Sequence, residues 1–178
     1  MQEQYDLVIV GAGCVGMAMA YTARKEGKKC LLLEKQNIRD SDRYWSSSFS
    51  ARQNRVQYTE EYLTEYVIQS NGYWNEVQAE AREKTKNPSL TLRHTEGGLW
   101  FGDKNVTSSE GNIFESNLVL EKKKVERLYM QSLIPNQPSF FNNFKFPEVS
   151  KDWAALFQPD GGSINMKESY NYFLWFAT

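Results

Sequence analysis

The chain has 178 residues, 40% hydrophobic and 24% charged, which suits one globular domain or a little more and excludes a disordered chain. Lys and Arg number 21 against 22 Asp and Glu, and a net charge of -1 offers no basic footprint for nucleic acid or anionic lipid. Two cysteines and one histidine are too few for a metal cluster or a disulfide framework, so no metal is assigned.

Tyr5 to Val10 read YDLVIV, an apolar run that predicts a strand buried on both faces. Gly11 to Gly16 form a tight turn, and Val15 to Glu26 predict a helix that Gly27 ends. Cys30 to Leu33 predict a second buried strand, parallel to the first and closed by Glu34. Gln36 to Gln57 are polar, with a serine cluster at Ser46, Ser47, Ser48 and Ser50, and predict a long loop with a short helical piece. Glu60 to Lys84 carry Leu63, Val67, Trp74, Val77 and Ala81 near a 3.6 period, which predicts a long helix. Leu90 to Phe101 predict a strand or hairpin bent at Gly97-Gly98, and Ser108 to Gln131 a further helix. In that helix Lys122 to Lys124 read as a wet face. Residues 134–151 are irregular, and Trp153 to Phe157 are short and apolar. Pro159-Asp160-Gly161-Gly162 is a turn, followed by a last helix with Asn165 as its cap and Glu168 three residues on. No apolar stretch reaches the length of a membrane span and no signal-type run opens the chain, so a soluble, cytoplasmic protein is expected.

Gly11-Ala12-Gly13-Cys14-Val15-Gly16 matches G-x-G-x-x-G in the context that gives the pattern meaning, between a strand and a helix. Gly11 permits the sharp turn, Gly13 lets a pyrophosphate approach the backbone, and Gly16 lets helix and strand pack closely. The helix N-terminus then presents N–H groups to the phosphates. Glu34, at the end of the second strand, can accept hydrogen bonds from the ribose hydroxyls of an adenosine and would repel a ribose phosphate. These residues alone leave FAD and NAD both open. Cys14 reads as a small filler, and His94 as a solvated or packed histidine. From composition alone, Arg52 and Arg55 read as surface arginines on the approach to a helix.

The first thirty-odd residues, YDLVIVGAGCVGMAMAYTARKEGKKCLLLEK, together with SSSFSARQNRVQYTEEYLTEYVIQSNGYWNEVQ, resemble the D-amino-acid oxidase superfamily of flavoproteins, most closely its monomeric sarcosine oxidase branch. HTEGGLWFGD is similar to that family's first substrate-domain strand, and FQPDGGSINMKESY to the strand-turn-helix returning to the flavin domain. Arg52, Arg55, Tyr58 and Trp74 occupy the places of the family's two arginines, tyrosine and tryptophan; Phe49 and Ala51 depart from its usual turn residues. The resemblance implies an α/β fold, with a Rossmann-like FAD-binding part over 1–86, a partial α+β substrate domain over 87–158 and a returning element over 159–178. It implies FAD as cofactor, with Gly11, Gly13, Cys14, Val15, Gly16, Glu34, Lys35, Ser47, Ser48 and Arg52 as its contacts. It also implies that Arg52 lies by the flavin ring and that Arg55 holds a substrate carboxylate. The implied reaction oxidises the C–N bond of an amine or N-alkyl amino acid to an imine, with molecular oxygen giving hydrogen peroxide. Family members are longer, which implies a truncated N-terminal portion, either of a longer enzyme or of a subunit that needs a C-terminal partner chain. A non-catalytic nucleotide-binding remnant and an NAD-dependent dehydrogenase are the alternatives.

Overall fold

The computed structural model describes residues 3–37, 51–106, 112–130 and 153–177. Two compact units are formed: Met1–Gln53 with Gln78–Arg93 and Ile164–Thr178, and Asn54–Val77 with His94–Ser163.

In the first unit, β1 (Leu7–Val10) and β2 (Cys30–Leu33) pair in parallel, Leu7 opposite Cys30 and Val10 opposite Leu33. The connection is α1 (Cys14–Lys25), and Gly27, with φ +75°, follows its end as expected. Ile9, Ala12, Met17 and Ala20 are buried where helix and sheet meet. The apolar run of β1 is not covered on both faces: Val8 is 53% and Val10 83% exposed, and Leu33 on β2 is 46% exposed. Among the described residues this sheet has only the two strands, so one face of β1 has no neighbouring layer there. On the other side of α1 packs α4 (Met166–Ala177), where the Tyr21 ring meets Phe173 and Phe176 at centroid distances of 5.0 and 4.8 Å. Asn165 caps α4, its Oδ1 accepting from the Glu168 N–H at 3.2 Å.

The C-terminal end of the long helix α2 (Glu61–Thr85) belongs to this unit and carries Glu80. That carboxylate accepts from the hydroxyls of Tyr21 and Tyr172 at 3.0 and 3.1 Å, and pairs with Lys25 and Lys84 at 2.8 and 3.2 Å. One acid thus ties α1, α2 and α4 together. Desolvation pushes its carboxyl upward, yet hydrogen bonds from the two lysines and two tyrosines outweigh that and hold its pKa at about 2.

The second unit is built on an antiparallel sheet of β5 (Gly98–Asp103), β7 (Trp153–Gln158) and β6 (Leu128–Met130), with β7 in the centre. Side chains of β7 alternate. Ala155 packs with Met130, Leu99, Trp153 and Phe157, whereas Leu156 packs with Val56, Leu120, Val67 and Ile113. The helix expected over Ser108 to Gln131 is shorter: α3 spans Ile113–Lys122, and Lys124 then takes φ +55°. The chain turns there and forms β6 because β7 supplies a strand edge, which a local pattern does not show. Lys122, 65% exposed, and Lys123 pair on this surface with Glu61 and Glu65 of α2.

A third sheet, in the order β3 (Ala51–Asn54), β8 (Gly162–Asn165), β4 (Arg93–His94), contains the points where the chain passes between units. β4 and β5 therefore belong to different sheets, and Leu90 to Phe101 is not a hairpin. No helix among the described residues is long and apolar enough to cross a membrane.

Candidate functional site

The glycine turn lies in the first unit. Gly11 has φ +98°, a conformation that side-chain-bearing residues rarely adopt, and its N–H reaches the Leu33 carbonyl at 2.7 Å. Gly16 is buried so tightly that a Cβ there would fall 1.9 Å from the Gly11 carbonyl oxygen. The turn and the first turn of α1 can therefore approach each other only with glycine at that position. Gly13 is the N-cap residue, and no side chain caps the helix. An anion approaching the turn thus meets backbone N–H groups without having to displace a capping side chain.

Glu34 stands beside this turn. Its Oε2 accepts the Ala12 N–H at 2.7 Å and its Oε1 the Gln36 N–H at 3.0 Å, which fixes the carboxylate at the mouth of the loop. Cys14 and Val15 are exposed on the first turn of α1, and Lys35 is exposed next to Glu34. The fold therefore gathers Gly11, Gly13, Cys14, Val15, Gly16, Glu34 and Lys35 into one region. Ser47 and Ser48 lie outside the described residues. A turn held tight by the absence of a Cβ at Gly16, a helix N-terminus with no side-chain cap among the described residues and an anchored acid form a donor and acceptor set that fits the phosphates and ribose of a dinucleotide.

Arg52 lies on β3, half-buried, not on the expected helical turn. Residues 51–54 are polar, and sheet pairing with β8 overrides their weak local preference. A helical face shared by Arg52 and Arg55 is therefore not formed. Arg55 follows the strand in the second unit, its guanidinium stacked over the Tyr58 ring at 4.9 Å. The turn that carries it is pinned three times. The Val56 N–H donates to Gln158 Oε1 at 3.3 Å, the Val56 carbonyl accepts from Thr64 Oγ1 at 3.2 Å, and it also accepts from the Tyr58 N–H at 3.0 Å.

Gln57, which sequence reasoning passed over, sits in the middle of this turn at 5% exposure with neither side-chain atom hydrogen-bonded among the described residues. No periodicity or motif marks it; the signal is burial without a partner. An open pocket of about 300 Å³ in the same unit, bounded by Val56, Asn71, Lys123 and Gln158, is lined by none of the expected site residues.

The model of the family described as "FAD dependent oxidoreductase" matches residues 6–169. The chain belongs to this family. FAD is the cofactor of the family, and the glycine turn with Glu34 offers groups that fit a dinucleotide. A protein named "Putative sarcosine oxidase" from Caenorhabditis elegans is 30% identical over 97% of this chain and 40% of its own length. Monomeric sarcosine oxidase from Bacillus sp. (strain NS-129) is 24% identical over 92% of this chain and 38% of its own length. Among solved structures, NikD, an amino acid oxidase essential for nikkomycin biosynthesis, superposes with a TM-score of 0.75 at 27% identity, over 99% of this chain and 41% of that one. The chain thus spans about two fifths of each of these relatives.

Proposed function

We propose that this chain provides the FAD-binding portion and a carboxylate-binding arginine of an enzyme that oxidises the C–N bond of an amine or N-alkyl amino acid. The products are an imine and hydrogen peroxide, with molecular oxygen as the final acceptor. The observation that carries this reading is Arg55. Its guanidinium leans on an aromatic ring, has no ion pair among the described residues, and sits on a turn with three backbone anchors. A planar fork so presented suits a carboxylate. Family membership supports the reading, as do relatives named for oxidation of sarcosine and of amino acids.

FAD, when bound, supplies the two-electron acceptor. Gly11, Gly13 and Gly16 admit its pyrophosphate to the first turn of α1, where Cys14, Val15 and Lys35 lie alongside, and Glu34 takes the ribose hydroxyls. Arg52, with Ser47 and Ser48, would serve the flavin end, where the Arg52 charge would favour negative charge on the ring. Arg55 orients the substrate by its carboxylate. Two free cysteines accord with a cytoplasmic setting.

A second reading is favoured by the exposed face formed by Val8, Val10 and Leu33. Under it the chain acts as a subunit that a C-terminal partner chain completes. One experiment serves both. The chain is loaded with FAD and given N-methylglycine, alone and joined to the later half of a sarcosine oxidase relative. Flavin bleaching is followed without oxygen, and peroxide release in air. The expected result is FAD binding by the chain alone and turnover only in the joined protein. FAD binding with no bleaching by any amine in the joined protein would sink the proposal.

A further inference from the structure

We infer that the open pocket of about 300 Å³ in the second unit is a binding site for a small aliphatic α-amino acid in its zwitterionic form. Neither Arg52, Arg55 nor any residue of the glycine turn lines it, so the site stands apart from the flavin and substrate roles proposed above.

The ligand class follows from which polar groups of the lining are already spent. Gln158, on β7, is 1% exposed, and its Oε1 accepts the Val56 N–H at 3.3 Å. Its Nε2 has no hydrogen bond among the described residues, so this buried side chain offers the pocket N–H groups that can only donate. Asn71, 7% exposed on α2, is spent at both ends: its Oδ1 accepts from Asn54 Nδ2 at 3.0 Å, and its Nδ2 donates to Asp160 Oδ2 at 3.3 Å. A ligand that satisfies the buried lining must therefore bring an acceptor. Val56, Ile68 and Val125 give the same pocket apolar wall, and Ile68 is left 39% exposed. The charged lining is mixed. Lys123 pairs with Glu61 and Glu65, whereas Lys124 and Glu126, exposed on the turn between α3 and β6, have no ion pair among the described residues. Asp160, also exposed, adds a second carboxylate. An anion alone would meet Glu126 and Asp160 unpaired, and a cation alone would face Lys124 and leave the Gln158 donors unmet. An α-amino acid answers both signs at once. Its carboxylate accepts from Gln158 Nε2 and takes the Lys124 charge, its ammonium donates to Glu126 or Asp160, and an aliphatic side chain covers Ile68 and Val125. The volume is that of a small-ligand pocket and sets the size of the occupant.

The test is an NMR titration of the 15N-labelled 178-residue chain, read at the backbone N–H signals of Val125 and Glu126. L-valine, isovalerate, isobutylamine and glycine are added separately. The expected result is that L-valine moves both signals saturably. The other three, each lacking one charge or the apolar body, should bind about threefold to fivefold more weakly or worse. Gln158→Glu keeps an oxygen for the Val56 N–H but replaces the donor by a like charge, and should abolish valine binding. Because a buried carboxylate can unfold the chain, Lys124→Gln on the exposed turn is the second variant, and it should weaken valine by about threefold to fivefold, the upper worth of an exposed ion pair. Repeating the titration on Arg55→Lys separates this pocket from the carboxylate site proposed at Arg55. Unchanged shifts support the pocket; their loss would show that valine had bound at Arg55 instead, and the inference would fall. No saturable movement with L-valine would overturn the site outright. Equal affinity for isovalerate would overturn recognition of the ammonium group, equal affinity for isobutylamine recognition of the carboxylate, and equal affinity for glycine the part given to Ile68 and Val125. Undiminished binding by Lys124→Gln would refute the charge pairing on which the choice of a zwitterion rests.

Discussion

Replacing Glu80 by Gln should cost this fold a measurable part of its stability, and only above acidic pH. The carboxylate is 16% exposed and receives two tyrosine hydroxyls and two lysine ammonium groups from α1, α2 and α4. Folding takes its pKa from 4.5 to about 2. At face value that difference corresponds to about 3 kcal/mol. The two lysines are 49% and 44% exposed, so water and salt screen them, and about 1–2 kcal/mol is the better expectation. Because the pKa is lowered on folding, the folded state binds fewer protons. The stabilisation is complete above pH 4.5 and drains away as pH falls toward 2. Urea denaturation of wild type and Glu80→Gln across pH 3 to 8 measures this. The gap between the two proteins should be constant from pH 8 to about 5 and shrink below 4.5. Burial and the neighbouring Glu80 carboxylate also raise the hydroxyl pKa values of Tyr21 and Tyr172 above the ordinary 10. Their contribution should therefore be lost as pH climbs past 10. A gap that did not change with pH would show that Glu80 acts by packing alone, and the charge argument would be wrong.

Three further outcomes are expected from the site. Gly16→Ala places a methyl group 1.9 Å from the Gly11 carbonyl, so FAD affinity by fluorescence titration should collapse while circular dichroism keeps most of its helical signal. Glu34→Ala should weaken FAD binding by about 1.5–3 kcal/mol, the worth of a charge-assisted hydrogen bond, and equal affinity would remove Glu34 from the ribose site. In the joined protein, Arg55→Lys should raise KM for carboxylate-bearing amines by about 1–3 kcal/mol in binding terms and leave amines without a carboxylate almost unaffected; an equal effect on both classes would refute its role.

Much of the first unit was legible because its signals are local. The positive φ of Gly11 and Gly27 and the cap at Asn165 each follow from a few neighbouring residues. The period of α2 was readable for the same reason: twenty-five residues repeat one pattern. Elements whose partner lies far along the chain were not legible. Residues 51–54 became a strand through β8, more than a hundred positions away, and β6 exists because β7 offers it an edge. The exposure of Val8 and Val10 belongs to the same class, because an apolar run states that both faces want cover and says nothing of what supplies it.

The site divides along the same line. Gly11, Gly16 and Glu34 could be assigned from residues because their work is done by backbone geometry and by one acid at the end of a strand, both of which spacing records. Arg52 and Arg55 carried no such mark; composition favoured two surface arginines, and only the likeness to a family gave them roles. Gln57 was beyond either route, since a glutamine before a tyrosine is ordinary in any loop. What singles it out is a deficit, an amide shut away from water with no hydrogen-bond partner among the described residues. A chain selected only for stability would replace it with an apolar residue of the same size, since that removes an unpaired amide at little cost in packing. Its presence on the turn that holds Arg55 therefore conflicts with stability at one chosen place. Such conflicts concentrate where a protein must bind something, and they become visible only once burial and bonding are known together.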